Sequence, residues 1–586
     1  MLKNRLWAAA GLLLLLLWAP LPDAAAGVPH VTPEMQSADF WTNKLADPDA
    51  VIMSQREIAA FNRDIVRALP DLVYDLTEYP AYLSGEKLTE LVNKRPFPAD
   101  EDRYANGALV ERTYYDYLLS QMNLDGIRAK NEVDCAVTVR RTNIRTFPTA
   151  DESLEAPDDV EFDLFQETAV GPAEPVLILN RSLDGRWCFV QVYNYNGWMP
   201  AADLAVAADK DSWLEYVQPD QYLVVTGNRI ELNYAPADQG VEQVGFTMGT
   251  RIPLAVRNID DVVAAAGVYL VKLPTRGDHG ELVLKMSTVP AGSDVMVGYM
   301  PYTRANIIVQ AFKILGERYG WGGMFDARDC SAFVMDVYRS FGLMLPRNGD
   351  EQEQSAGRTV SFASLGTGQR YELLDSLLPG ASLHTPTHEM LYLGEHEGLH
   401  YVIHDITSYG DPDWVNADGS LARVELNRVT VTDLSLTLRS GRTIIDSLTG
   451  GKQVESGAAA AAAASEFNVK VFVNGRVVRF PDEKPYLDSS TDRVYMPVRF
   501  VSEALGADVE WLQEQQNISI NKGKMLILMH SGSRDVYVDG QIYALDAPLR
   551  MVNGRNMIPL RFVSEALGAA VEWTADSSGG RVDITE

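Results

Sequence analysis

Cys330 is the residue on which covalent chemistry would turn. It follows Asp329 and opens a stretch in which Val334, Tyr338 and Phe341 recur at i, i+4 and i+7, the inner face of a helix. A thiol in the first turn of a helix sits at the positive end of the macrodipole. With a cation nearby, that position brings a thiol pKa from ~8.5 down to roughly 3.5–7.5. The other reading is a buried, inert cysteine. A nucleophilic thiol needs a base, and the base needs an orienting partner. Five of the eight histidines fall between 384 and 404. His388 begins one apolar run and His404 closes the next. Read as adjacent strands, they put a Cys–His–His line together, the second imidazole holding the first in its useful tautomer. His400 competes with His404 for the third place. His384 and His388 are four apart, as are His396, His400 and His404, a spacing that suits zinc on a helix. Gly394 and Gly398 break any helix there, so no metal site is expected. His396, and His384 with it, read as solvated surface histidines.

The rest of the chain must position that line. At 586 residues, with 46% hydrophobic and 22% charged residues, it reads as several folded domains. Its net charge of −29 repels phosphate backbones, so no nucleic-acid partner is expected. Lys3 and Arg5, the apolar run Leu6 to Trp18 and Ala24-Ala25-Ala26 read as a signal peptide over 1–26. The run is short of the roughly 20 residues a bilayer span needs. The mature chain is therefore expected to be exported to the cell envelope, wall-associated or secreted. Residues 27–128 read as a helical stabilising domain, with Ile58, Phe61, Ile65 and Leu69 at helical spacing. Short strands and turns follow in two units, 129–215 and 216–295. Cys135 and Cys188 lie in the first; they fit either as a disulfide of an exported protein or as two small buried strand residues. Residues 296–449 place helices before strands and hold all the candidate chemistry. A Gly- and Ala-rich linker is expected over 450–466. In the tail, 467–586, Met496 to Ala507 returns as Ile558 to Ala569, and both copies end in Val-Glu-Trp. The helix Arg499 to Leu505 is expected to bury Phe500, Val501 and Ala504 and to stop at Gly506.

Several of these stretches resemble known families. Gly197-Trp198 near the end of the first strand unit resembles a bacterial SH3-like barrel, and the second unit reads as another. The paired Pro-(Val/Leu)-Arg-Phe boxes of the tail resemble the stalk domain named after the N-terminal domain of copper amine oxidases. That likeness implies attachment or spacing and no copper. Tyr319-Gly320-Trp321-Gly322-Gly323, Asp329-Cys330-Ser331, Leu378-Pro379-Gly380, His388 with Tyr392-Leu393-Gly394, and His404 occur in the order seen in NlpC-type cell-wall cysteine peptidases. The whole resembles their γ-D-glutamyl-L-diamino-acid endopeptidase subgroup, which has a helical N-terminal domain and two SH3-like domains ahead of the peptidase.

That resemblance implies a multidomain α+β chain around a papain-like domain. It implies Cys330 as nucleophile, His388 as base, His404 as orienting residue and Tyr319 beside the oxyanion. Asp329, Ser331 and, from the first barrel, Tyr195 are implied as substrate contacts; Asp329 also reads as a helix cap. Pro346-Arg347-Asn348-Gly349-Asp350 resembles a Pro-Arg-Asp-Ser segment, with glycine in the serine's place. The implied activity is hydrolysis of murein stem peptides between γ-D-glutamate and the diamino acid, starting from a free L-alanine amine, without cofactor or metal. The implied partner is the cell wall, held through the SH3-like and C-terminal domains. The rival expectation is a wall-binding scaffold, or an acyl transferase using the same site.

Overall fold

The structure is a computed structural model. It describes residues 28–95, 102–233, 243–255, 267–455 and 468–585, apart from 479, 481–484, 489–492, 513–516, 531–534, 546–548, 553–554 and 577–578. The expected signal peptide and the alanine run of the linker lie outside the described residues. Among the described residues no helix is long and apolar enough to cross a membrane.

The region that holds the candidate site residues is built on an antiparallel sheet of six strands, in the order Arg358–Ser361, Gly450–Gln453, Ser382–Thr385, His388–His396, Leu399–Val415, Leu421–Asp433. Strand alternation gives the sheet two apolar faces. Leu391, Leu393, Tyr401 and Ile403 pack on one side with Phe333, Val334, Val337 and Phe341 of the Cys330–Arg339 helix. Met390, Tyr392 and Val402 pack on the other with Leu374 and Leu377. The linker expected from 450 therefore begins later. Gly450–Gln453 is an interior strand pairing with both Arg358–Ser361 and Ser382–Thr385. A side chain at Gly451 would meet Leu377 at 2.8 Å and Val360 at 3.0 Å, so the glycine there serves close packing rather than flexibility.

The N-terminal helices have no core of their own. Ile58, Phe61 and Ile65 of the Gln55–Ala68 helix enter the core that holds the Cys330–Arg339 helix. Leu88, Leu91, Tyr115 and Leu118 instead pack with Phe189 and Trp198 of the first barrel. The expected stabilising domain is thus divided between two neighbours. The first barrel is a seven-stranded sheet running from Asp134 to Val206. Residues 222–297 form three small sheets around Leu223, Phe246, Ile252 and Val271.

The tail holds a separate core. Its two copies meet edge to edge, Met496 opposite Ile558, and its first strand runs parallel to its last. The helix begins at Val498, one residue earlier than expected, so Val498, Val501, Ser502 and Leu505 face inward. Phe500 is half-buried and Ala504 is exposed. Gly506, with φ of 73°, ends the helix.

Candidate active site

The loop before Cys330 is shaped by two glycines in the left-handed region, Gly322 (φ 56°) and Gly323 (φ 87°). A Cβ on Gly323 would lie 2.4 Å from the Ala169 Cβ, and one on Gly322 would lie 2.9 Å from Gln166. The glycines let the first barrel press against this loop. Arg141 donates to the Gly323 carbonyl and Gln166 to that of Gly322, each at 2.8 Å. The loop leads into Asp329, whose carboxylate caps the catalytic helix by accepting from the Ala332 N–H at 2.9 Å. The same carboxylate accepts from the Gly322 N–H at 3.0 Å and from Arg347 at 2.6 Å. Arg347 also donates to the Ser331 hydroxyl at 2.9 Å.

Asp329 and Ser331 are thus held in a buried ion-pair network. The geometry displays the capping role of Asp329.

Cys330 is half-buried, and its thiol meets the backbone N–H of Glu389, the residue after His388. Burial pushes the thiol pKa up, the charge of Asp329 adds to the push, and Glu389 and Asp405 would add to it when ionised. This departs from the lowering expected at a helix N-terminus: desolvation, above all, outweighs the dipole and one N–H.

The two histidines lie on neighbouring strands. Leu391 opposite Ile403 sets the register, which puts His404 diagonal to His388 on the same face, within side-chain reach. His388 Nε2 lies 2.7 Å from His404 Nδ1, and His404 Nε2 lies 3.0 Å from the Thr432 hydroxyl. The chain fixes the tautomers consistently. If His388 keeps its proton on Nε2 and donates it to His404 Nδ1, His404 carries its own on Nε2 and donates to Thr432. Nδ1 of His388 is then unprotonated and free to accept a proton. Burial lowers the His388 pKa to about 4 and lowers that of His404 as well, so both rest neutral. His400 belongs elsewhere: its Nδ1 is bonded to the Tyr392 hydroxyl at 2.7 Å and its ring stacks on Tyr392. The structure brings His404, not His400, to His388.

Tyr319 is 9% exposed. Burial and the nearby Cys330 and Asp329 raise its pKa, so its hydroxyl stays a donor. Tyr195 donates to Glu167, which also pairs with Arg95 at 2.7 Å, and the Arg95 guanidinium lies 5.1 Å over the Tyr195 ring. Neither Glu167 nor Arg95 stood out in the sequence. Their partners lie far along the chain, and no spacing signals them. The expected surface place of His384 is wrong. It is 1% exposed because its strand lies inside the sheet, opposite Glu389. His396 is half-exposed and bonded to Lys44 at 2.8 Å. Among the described residues no His, Cys, Asp and Glu group has the arrangement of a metal site. Cys135 and Cys188 are unpaired.

Comparison with known proteins names the parts. Residues 316–414, which hold Cys330, His388 and His404, match the NlpC/P60 family. This stretch of the chain is similar to an NlpC/P60 domain. Residues 151–200 match the SH3 domain of the SH3b1 type, and 472–579 match the copper amine oxidase N-terminal domain. An NlpC/P60 endopeptidase from Photobacterium damselae subsp. piscicida shares the fold. It has a TM-score of 0.58 at 17% identity, over 71% of this chain and 97% of its own. An NlpC/P60 family protein from Bacillus cereus, also 17% identical, matches over 54% of this chain and 99% of its own with a TM-score of 0.36. A curated protein of Brevibacillus choshinensis described as a protease inhibitor is 33% identical over 110 residues. That is 19% of this chain and 32% of the relative, so the match spans about a third of that relative's length.

Proposed function

We propose that the protein is an exported cysteine peptidase that hydrolyses murein stem peptides between γ-D-glutamate and the diamino acid. The observation that carries this reading is the hydrogen-bonded line Thr432–His404–His388 beside a cysteine that opens a capped helix. The NlpC/P60 match supports the substrate class. In this mechanism His388 Nδ1 takes the thiol proton as Cys330 attacks the scissile carbonyl. Burial penalises a lone thiolate and a lone imidazolium; proton transfer makes both at once, each stabilising the other. The Cys330 backbone N–H and the Tyr319 hydroxyl donate to the oxyanion. His388 then protonates the leaving amine, and water activated by the same imidazole resolves the thioester.

The acyl side would reach the first barrel at Tyr195. There the carboxylate closest to solvent is Glu167, whose side chain is 17% exposed against 11% for Asp329. An L-alanine ammonium would share Glu167 with Arg95. Incubation with L-Ala-γ-D-Glu-diamino-acid tripeptide, free and N-acetylated, tests both levels. Release of L-Ala-γ-D-Glu supports the bond assigned, and preference for the free amine supports the start assigned. Cleavage at any other bond, or none, contradicts it.

A further inference from the structure

Each of the two histidines is followed directly by a buried acid, Glu389 after His388 and Asp405 after His404. Both acids are 0% exposed. None of their four carboxyl oxygens makes a hydrogen bond of ordinary geometry; the Ser382 hydroxyl is the donor nearest to Glu389. Glu389 sits tightly. Its Oε1 lies 3.8 Å from His384 Nε2, and a Cβ on Gly349 would lie 3.3 Å from its Oε2. The Cys330 thiol rests on the Glu389 backbone N–H.

Such groups ordinarily have counter-charges, and the cations nearby are committed elsewhere. Around Glu389, Arg347 is paired with Asp329, and Lys452 donates to the Ser355 carbonyl at 2.6 Å. Glu353 accepts from Thr449, and buried His384 has its pKa lowered to about 3, so it is neutral. Around Asp405, Arg328 is shared between Glu317 and Asp336, and Tyr319 keeps its proton. An ionised carboxylate in either place would be buried without compensation, which is strongly unfavourable.

We propose that Glu389 and Asp405 are positioning residues for the nucleophile: two carboxyl groups that leave the Cys330 thiol free to ionise while they carry protons and oppose it once they lose them. The assignment rests on Cys330 being the nucleophile. It explains how a thiol with three acids around it can work. Asp329 is neutralised by Arg347, and the other two acids are neutral by protonation. Burial raises the pKa of both, with the charge of Asp329 adding to the effect, and Asp405 reaches about 9. The device therefore sets an alkaline limit: above about pH 9 a negative charge appears behind the thiol.

The test reads the thiol directly, without substrate. Full-length wild type, Glu389→Gln and Asp405→Asn are alkylated with iodoacetamide at about pH 7 and pH 10, and modification of Cys330 is followed by peptide mass spectrometry. A unit charge within about 6 Å at an effective dielectric of about 20 moves a pKa by about two units. Part of that is offset because a more basic thiolate is the better nucleophile. The ratio of the pH 10 rate to the pH 7 rate is expected to be about tenfold higher in Asp405→Asn than in wild type, and raised in Glu389→Gln by as much of that acid as has ionised at pH 10, with the ratios at Cys135 and Cys188 unchanged. Equal Cys330 ratios in all three proteins overturn the proposal.

Should either variant misfold, infrared spectra of the wild type decide. A protonated carboxylic-acid carbonyl band that persists at pH 7 supports the proposal, and its absence overturns it. A normal thiol response with no tripeptide cleavage would count against the substrate and leave this inference standing.

Discussion

The NlpC/P60 region and the tail are both mixed helix-and-strand units of similar size, and they fill their interiors in opposite ways. Among the described residues of the tail, the buried polar side chains are Ser502, Ser519 and Ser564. Apart from Tyr495, the rest of its core is aliphatic, with Val, Ile, Leu and Met from both repeats. The catalytic region buries Asp329, Arg347, His384, Glu389, His404, Asp405 and Thr432. Buried polar groups cost stability unless they are paired, and buried charges more so. The tail avoids that cost, as a unit built to pack does. The region around Cys330 accepts it, and the residues that could do chemistry are among those it buries.

The sharpest way to break this comparison is to remove the group the polar interior serves. Cys330→Ala is expected to abolish turnover of the tripeptide without unfolding the chain, checked by product assay and circular dichroism. His388→Ala should lower kcat/KM by about 10²–10⁴-fold, the usual contribution of a general base.

The orienting line gives the next effect. His404→Ala should cost more than His400→Ala in kcat, since only His404 reaches His388. Thr432→Val, which removes one hydrogen bond of about 1 kcal/mol, should cost about fivefold. A greater loss from His400→Ala would move the third role to that residue.

A smaller effect concerns stability. Asp405 has a pKa of about 9 in the folded chain and about 3.9 unfolded. Between those values the folded state holds a proton that the unfolded state has released, so stability falls as pH rises from about 4 to 9. Asp405→Asn lacks this term. Its gain in Tm over wild type should grow from pH 4 to pH 8, measured by thermal melts. A gain that is constant with pH would remove the buried-acid account.

The smallest effect is expected from the tail. Truncation after Glu455 keeps the Gly450–Gln453 strand and should leave kcat/KM on the tripeptide nearly unchanged. Retention on isolated cell walls should fall, because linked binding modules lose avidity. A parallel loss of Tm and activity would show that the tail supports the catalytic core instead.

Much of this arrangement was legible in the chain because it is local. The Asp329-Cys330 helix start, the glycines of the preceding loop and the two histidine strands each lie within a short window. The repeat in the tail is legible as self-similarity, and its helix shifted only by one residue. What sequence reading missed depends on distant partners. Arg95 meets Glu167 across 72 positions and Arg347 meets Asp329 across 18. The sinking of His384 into the sheet follows from Gly450–Gln453 forming its neighbouring strand, which a Gly-Gly signal disguised as a linker. The thiol's raised pKa was missed for a related reason: helix position is visible in sequence, whereas desolvation and three converging acids appear only in three dimensions.

Cys330 is expected to form a thioester with the acyl half of a stem peptide. Rapid-quench intact-mass spectrometry of the full-length protein with L-Ala-γ-D-Glu-diamino-acid tripeptide reads that bond itself. A transient adduct of L-Ala-γ-D-Glu should map to Cys330 and be absent from Cys330→Ala. Dipeptide release at full rate by Cys330→Ala, or an adduct mapped to another residue, would contradict it.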